Sequence, residues 1–322
     1  MSRAPIVLVH SDAPEPVRAI VAAAHPDLAI HTCETYAGLP AALAATRAEV
    51  VYSVRFDGTP RFPCQALIDS PTVTWVAVGG SGTDHLGPWD PARLTVTNAA
   101  GVAADTMAEY AIGTALSFTL GLRDFAKAQA GRRWVAGRVA PITGRTMLIL
   151  GLGHTGRAVA RRAKALGLTV LGARAHPAPM PDIDEVHGTS DLPDLWPRAD
   201  VVVVCVPLLP ATRGLVGRDA FAGIKAGAVL VDVSRGGVVD EAALLDALRS
   251  GQLAGAALDV FTTEPLPADH PFWSMGNVIV TPHCSSVFEG WERTSAALFA
   301  DNLARYRRGE ARFNVVDPVR GY

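Results

Sequence analysis

Three residues of this chain carry side chains that together could hold a carboxylate and move a proton. Arg235 follows the apolar run AVLVDVS, Glu264 comes a few residues after GAALDVF, and His283 follows NVIVTP. Each stands beside Gly or Pro, the residues that fix tight turns. Hydride reaching a carbonyl carbon builds negative charge on the oxygen, and a group titrating near neutrality, as imidazole does, is suited to giving that oxygen its proton. A carboxylate on the far ring nitrogen fixes the tautomer and favours the charged imidazolium. A guanidinium grips a substrate carboxylate in a forked pair and polarises the neighbouring carbonyl. Taken singly, each of the three reads as a structural ion pair or a core histidine. Taken together, they make a set suited to reducing a 2-oxo acid.

For the set to assemble, its three residues must lie at the ends of strands in one sheet. The runs TMLILG, LTVLGA, DVVVVCV, AVLVDVS, GAALDVF and NVIVTP are continuously apolar, as strands are when helices cover both faces of a parallel sheet. An earlier series, PIVLVH, LAIHTC, VVYSV, TWVAVGG and LTVTN, alternates with apolar-periodic helices such as the one containing PVRAIVAAA. The alternation predicts an α/β protein with two Rossmann-like or flavodoxin-like doubly wound parallel-sheet domains. Long helical stretches, from about Thr106 to Ala130 and from about Trp291 to Arg308, flank the second series. The expected division is a substrate-binding domain over 1–99, completed by 288–322, and a dinucleotide-binding domain over 100–287. Two crossing segments would make a hinge with a cleft between the domains. AHPAPMPDIDE, rich in proline and without apolar period, reads as a loop after a strand.

Gly151, Gly153 and Gly156 form GLGHTG, directly after the strand TMLIL and before the helical RAVARRAKALG. In that context each glycine has a reason. The first permits a tight turn, the second lets a pyrophosphate approach the backbone, and the third lets helix and strand pack closely. Free N–H groups at the helix start would meet the phosphates. The implied ligand is a nicotinamide or flavin dinucleotide; a glycine-rich turn without a ligand is the other reading. The next strand of such units usually ends in an acid that binds the ribose 2′-OH. Here it ends in TVLGARAHP, with Arg174 in that place and no acid before Asp182. A carboxylate would repel a 2′-phosphate, whereas a guanidinium can grip it. Arg174 therefore predicts NADPH in preference to NADH, with His176 as a second donor, unless the side chain simply faces solvent and leaves NADH possible.

Composition narrows the field further. With 49% hydrophobic and 19% charged residues, the 322-residue chain can bury two cores. Its formal charge of −2 leaves no footprint for nucleic acid or an anionic membrane. The longest apolar run, VVVVCVPLLP, is far short of the roughly 20 residues of a membrane helix, and Met1–His10 shows no secretory pattern. Cys33, Cys64, Cys205 and Cys284 are scattered without CxxC spacing, and no two histidines share a helix face, so neither a disulfide framework nor a metal site is expected. A reducing cytoplasm is the simplest compartment. A short-chain dehydrogenase needs Tyr followed four residues later by Lys, a requirement that Tyr36, Tyr52, Tyr110, Tyr306 and Tyr322 all fail. Neighbouring side chains on an extended segment point apart, so Cys284 reads as a packing residue beside His283, not a nucleophile.

The sequence resembles the D-isomer-specific 2-hydroxyacid dehydrogenase family over nearly its whole length, and within it looks most like NADPH-dependent glyoxylate/hydroxypyruvate reductases. The resemblance rests on GGSGTDHL, NAAGVAADTMAEYA, GLGHTGRAVA, VDVSRGGVVDEAAL, GAALDVFTTEPLP, NVIVTPHCSS and the closing NLARYRRGE, in that order. It implies that Arg235, Glu264 and His283 are the catalytic arginine, the supporting acid and the acid/base histidine. Ser81 and Gly82 match backbone amides that hold the substrate carboxylate, and Arg55, in YSVRFDG, matches a loop lining the pocket, where it would serve a larger acidic group or a surface ion pair. Ser286 matches a residue that closes the site. For the cofactor, His154 and Thr155 match the pyrophosphate turn and Pro207 the loop beneath the adenosine ribose. Asp259 matches a contact to the nicotinamide amide, and Thr106 a residue near the nicotinamide. Thr155 departs from the usual branched aliphatic, and Glu264 departs from the glutamine of the formate dehydrogenase branch. Family members are usually homodimers joined through an arm like GRRWVAGRVAPITG, so Trp134 is expected either on a partner subunit or in a core. Other readings are an NAD-dependent enzyme acting on 3-phosphoglycerate or a larger 2-keto acid, and a nucleotide-sensing corepressor-like binding protein.

Overall fold

A computed structural model describes residues 4–56, 59 and 61–318. The chain divides into two compact units, Met1–Val102 with Glu289–Tyr322, and Ala103–Phe288.

In the first unit β1 (Val7–His10), β2 (Ile30–Cys33), β3 (Val50–Ser53), β4 (Trp75–Val78) and β5 (Thr95–Thr97) form a sheet of order β2-β1-β3-β4-β5. Every pairing is parallel. Successive strand residues point to opposite faces, and both faces are covered. Val7, Val9, Val50, Tyr52 and Trp75 pack against the helix Glu15–Ala24 through Val17 and Val21, and against the helix Trp291–Arg308 through Ala296, Phe299 and Leu303. Leu8, Val51, Val76 and Val78 pack on the other side with Leu39, Leu43 and Leu67.

The second unit holds β6 (Thr146–Leu150), β7 (Thr169–Ala173), β8 (Glu185–His187), β9 (Val201–Val204), β10 (Ala228–Asp232), β11 (Leu253–Leu258) and β12 (Val278–Val280). Their order is β12-β11-β10-β9-β6-β7-β8, again parallel throughout. From β6 the chain winds outward to β8, returns, and winds the other way from β9 to β12. The switch lies between β6 and β9, the place where open sheets of this kind leave a crevice beyond the strand ends. The two parallel-sheet α/β units expected of the sequence are present.

Two local details differ from the sequence reading. β8, for which no strand is expected, begins at Glu185, the last residue of the expected loop, and pairs with Leu171–Ala173; three polar or half-buried residues at a sheet edge carry no apolar signal. The single helix expected from about Thr106 to Ala130 is two, Ala104–Thr119 and Leu122–Ala130, because Gly121 turns left-handed at φ +66°. The residues after the second helix run irregularly to β6, and there Trp134 is 99% exposed, so a place in a core is excluded.

Candidate active site

The three chemically suited residues emerge from the ends of neighbouring strands. β10 ends at Asp232, and the chain turns through Ser234, Arg235, Gly236 and Gly237. Arg235 Nη1 donates to the Ser234 carbonyl at 2.8 Å. Gly236 lets this turn close on the loop after β11: a Cβ there would lie 2.0 Å from the Phe261 carbonyl oxygen. That loop carries Glu264. Its Oε1 accepts the Phe261 amide at 3.0 Å, and Glu241 Oε1 accepts the next amide, Thr262, at 2.6 Å. Past β12 the chain reaches His283, which sits left-handed at φ +52°.

His283 Nδ1 donates to Glu264 Oε2 at 2.9 Å. Partial burial pushes the Glu264 carboxyl up, but the His283 hydrogen bond, the Phe261 amide and the charges of His283 and Arg235 outweigh it, and it rests below its ordinary value. With Nδ1 committed to Glu264, Nε2 is the ring nitrogen able to hold a transferable proton. The pair is accessible, with side-chain exposures of 29% for His283 and 32% for Glu264. The arrangement can therefore orient an acid and deliver its proton to an oxygen.

Two buried acids lie behind this pair. Asp232 Oδ1 accepts the Ser234 amide at 3.0 Å and the Ser234 hydroxyl at 2.5 Å. Burial pushes its carboxyl up to about 7, with Asp259 and Glu241 adding to the rise and Ser234 opposing it. Asp259, fully buried, accepts Thr281 Oγ1 and the Cys284 amide on Oδ1 and the Ser285 amide on Oδ2. Sequence reasoning passed over Asp232, Glu241, Tyr110 and Thr281. Only Asp232 carried a signal, as a lone acid inside the apolar run VLVDV. Cys284 requires a correction. Its neighbour is left-handed instead of extended, and Cys284 is exposed instead of packed; partial burial and the Asp259 charge push its thiol up.

The glycine turn lies in the same unit. Gly151 has φ +94°, and a Cβ on it would meet the Cys205 carbonyl oxygen at 2.8 Å; on Gly156 a Cβ would lie 1.9 Å from the Gly151 carbonyl oxygen. Gly153, by contrast, opens on space, with no atom within 4 Å of a built Cβ. The helix His154–Ala165 starts there, so its first N–H groups border that space. A turn sealed at Gly151 and Gly156 and bare at Gly153 fits the pyrophosphate of a dinucleotide. His154 is exposed, and partial burial and the Arg157 charge lower its pKa. Thr155 Oγ1 donates to Met107 Sδ at 3.6 Å. Arg174 follows β7 half-buried, its amide donating to the His187 carbonyl at 3.1 Å and its Nη1 to Met180 Sδ at 3.4 Å. His176 is exposed, as is Pro207, whose carbonyl accepts Thr212 Oγ1 at 2.6 Å. Thr106 is half-buried in the first turn of its helix, and Ser286 is half-buried just past the histidine segment.

Arg55, Ser81 and Gly82 belong to the other unit. Arg55 is exposed just beyond β3, and the Asp57 and Gly58 of its loop lie outside the described residues. Ser81 is exposed, its carbonyl accepting Asn98 Nδ2 at 2.7 Å, and Gly82 is half-buried. Among the described residues no group of three or more His, Cys, Asp or Glu could hold a metal ion, and no helix is long and apolar enough to cross a membrane.

Residues 112–285 match the family model described as the NAD binding domain of D-isomer specific 2-hydroxyacid dehydrogenases. The chain is 34% identical over 227 residues to a D-3-phosphoglycerate dehydrogenase of Methanocaldococcus jannaschii, a match that covers 70% of this chain and 43% of that one. It thus spans less than half the length of that relative. Among solved structures, a D-isomer specific 2-hydroxyacid dehydrogenase from Xanthobacter autotrophicus Py2, in complex with NADPH and MES, is similar at TM-score 0.86 and 31% identity, covering 99% of this chain and 100% of that one. An NADPH-dependent glyoxylate/hydroxypyruvate reductase from Sinorhizobium meliloti, in complex with NADP and sulfate, is similar at TM-score 0.83 and 26% identity, with the same coverage.

Proposed function

The chain belongs to the D-isomer specific 2-hydroxyacid dehydrogenase family, and from that premise we propose that it reduces small 2-oxo acids, glyoxylate and hydroxypyruvate among them, to 2-hydroxy acids with NADPH. The observation that carries the reading is the His283–Glu264 pair at 2.9 Å with Arg235 beside it. When bound, the cofactor supplies the hydride. His283 Nε2 gives its proton to the substrate oxygen while Glu264 holds Nδ1, and Arg235 binds the substrate carboxylate and draws charge toward the carbonyl oxygen. Ser81, Gly82 and Arg55 are assigned to substrate binding on the resemblance alone, as is Ser286.

Gly151, Gly153, His154, Thr155 and Gly156 would hold the pyrophosphate, with Pro207, Thr106 and Asp259 along the rest of the dinucleotide. Arg174 and His176 would take the 2′-phosphate. The preference for NADPH is supported by the arginine after β7 and by the similarity to two structures that contain NADPH or NADP. A homodimer is supported by the bare indole of Trp134, which in water leaves a large apolar surface uncovered. Likeness to a phosphoglycerate dehydrogenase favours, as a second reading, a phosphorylated substrate.

The test is to follow nicotinamide absorbance with glyoxylate, hydroxypyruvate, pyruvate, phenylpyruvate and phosphohydroxypyruvate, each with NADPH and with NADH. Turnover is expected to be fastest with one of the first two and NADPH. Failure of every substrate refutes the proposal. His283→Asn is expected to lower turnover by a factor on the order of 10² or more, the contribution of a general acid.

A further inference from the structure

His283 stands in a backbone conformation that resists it. A non-glycine residue in the left-handed region costs on the order of 1–3 kcal/mol and persists only where its surroundings over-determine it. What over-determines it here is a buried carboxylate. The two amides after His283, Cys284 and Ser285, donate to opposite oxygens of Asp259, each at 2.9 Å. Successive N–H groups around a left-handed residue make a concavity for an anion, and Asp259, with no exposed surface, fills it. The third donor is the Thr281 hydroxyl, on Asp259 Oδ1 at 2.6 Å. Because that hydroxyl spends its proton on the carboxylate, its oxygen must accept from Tyr110, whose hydroxyl lies 2.9 Å away. Burial pushes the Tyr110 phenol up to about 12, so it keeps its proton for this bond. The order of donation is thus fixed from the helix Ala104–Thr119, through Thr281, to Asp259.

We propose that Thr281, seated by Tyr110, is a positioning residue of the reaction: with the Cys284 and Ser285 amides it fixes Asp259 as the anchor that keeps His283 left-handed and its Nδ1 on Glu264. None of these groups needs to touch the substrate. The role rests on the proposed reductase reading for its effect on turnover, but its effect on the segment does not.

The test compares Thr281→Val, which keeps shape and loses the hydroxyl, with Thr281→Ser, which keeps the hydroxyl. A hydrogen bond to a carboxylate is worth about 10-fold or more. Thr281→Val is expected to lower kcat about 10-fold or more, with KM for the 2-oxo acid changed less than about twofold. Hydrogen–deuterium exchange of the 283–285 amides, measured without substrate or cofactor, is expected to quicken by about the same factor. Thr281→Ser is expected to restore both. Tyr110→Phe, a milder change, is expected to move both in the same direction by a few-fold. The proposal is overturned if Thr281→Val keeps wild-type exchange, if Thr281→Ser is as impaired as Thr281→Val, or if exchange quickens with kcat unchanged. If the wild-type protein reduces none of the 2-oxo acids, the reductase reading falls, while the exchange measurement still decides whether Thr281 holds the segment.

Discussion

Replacing Glu264 with Gln removes one charge and one acceptor, and the structure shows why both losses matter. Glu264 accepts at both oxygens, the Phe261 amide on Oε1 and His283 Nδ1 on Oε2. A glutamine has one oxygen and one NH2. If its oxygen stays with the Phe261 amide, the NH2 faces His283 and favours the tautomer with no proton on Nδ1, so the ring loses the acceptor that orients it. If the amide flips, the NH2 meets the Phe261 N–H and the loop loses a bond. Charge alone accounts for the difference between a hydrogen bond to an ion, about 1.5–3 kcal/mol, and a neutral one, about 0.5–1.5 kcal/mol. That difference, roughly 1–2 kcal/mol, is about 5- to 30-fold in rate; exposures of 29% and 32% admit solvent screening and favour the lower half of that range. Loss of the Nδ1 proton would add to it, toward the roughly 10²-fold worth of the general acid itself. Steady-state kcat for glyoxylate with saturating NADPH, from pH 6 to 9, is the assay. The deficit is expected throughout that range, because the Glu264 carboxyl lies below its ordinary value and the substitution removes its charge and one acceptor at every pH tested. The folded carboxyl lies below its ordinary 4.5, so its contribution to stability is present above about pH 4.5 and is lost as pH falls through the folded value. The variant should accordingly melt lower than wild type at pH 7, by a margin that narrows as pH falls below about 4.5. A kcat within twofold of wild type at pH 8 would refute the assignment of Glu264 as support for His283.

Arg174→Asp is expected to cut the NADPH/NADH ratio of kcat/KM by about 10- to 150-fold, the worth of one charge-assisted contact; an unchanged ratio would show that the arginine does not read the phosphate. Asp232→Asn tests the buried acid. The Asp232 carboxyl sits near 7 in the fold against an ordinary 3.8, so the native state holds a proton between about pH 4 and 7 that the unfolded chain gives up, and stability falls as pH rises across that window. Asparagine is neutral throughout and can still accept from Ser234, so its melting temperature should match wild type at pH 4 and exceed it by a few degrees at pH 8. A difference that stays constant with pH would overturn this. Trp134→Glu, at a fully exposed indole, is expected to shift sedimentation from dimer to monomer with the fold intact; a wild-type monomer at micromolar concentration removes the dimer proposal.

The parts of this molecule that could be read from sequence are those whose burial is written in consecutive residues. Strands β6, β7, β9 and β10 are covered on both faces, so nearly all of their residues are apolar and the runs stand out. Arg235, Glu264 and His283 stand out for the converse reason, as ionisable residues placed just past the ends of such runs. β8 escaped because a three-residue edge strand has little to bury, and the break at Gly121 because one glycine inside a helical pattern is often tolerated. The supports of the site are of a third kind. Glu241 and Thr262 are 21 residues apart, Thr281 and Asp259 are 22, and Tyr110 and Thr281 are 171. A tyrosine in a helix or a threonine before a proline has an ordinary local reading, and nothing within a turn or two of it reveals that its hydroxyl is spoken for. Asp259 stands out in sequence only through its match to a cofactor contact, and the three donors of its own chain that converge on its buried carboxylate have no local signature. A polar side chain that the fold removes from water must be repaid with partners, and for Asp259 those partners are the Thr281 hydroxyl before His283 and the Cys284 and Ser285 amides after it, His283 being the residue proposed to give up the proton. Burial of one carboxylate and the geometry of one histidine are therefore a single structural fact, which is why a hydroxyl two residues before His283 is expected to govern turnover without touching the substrate.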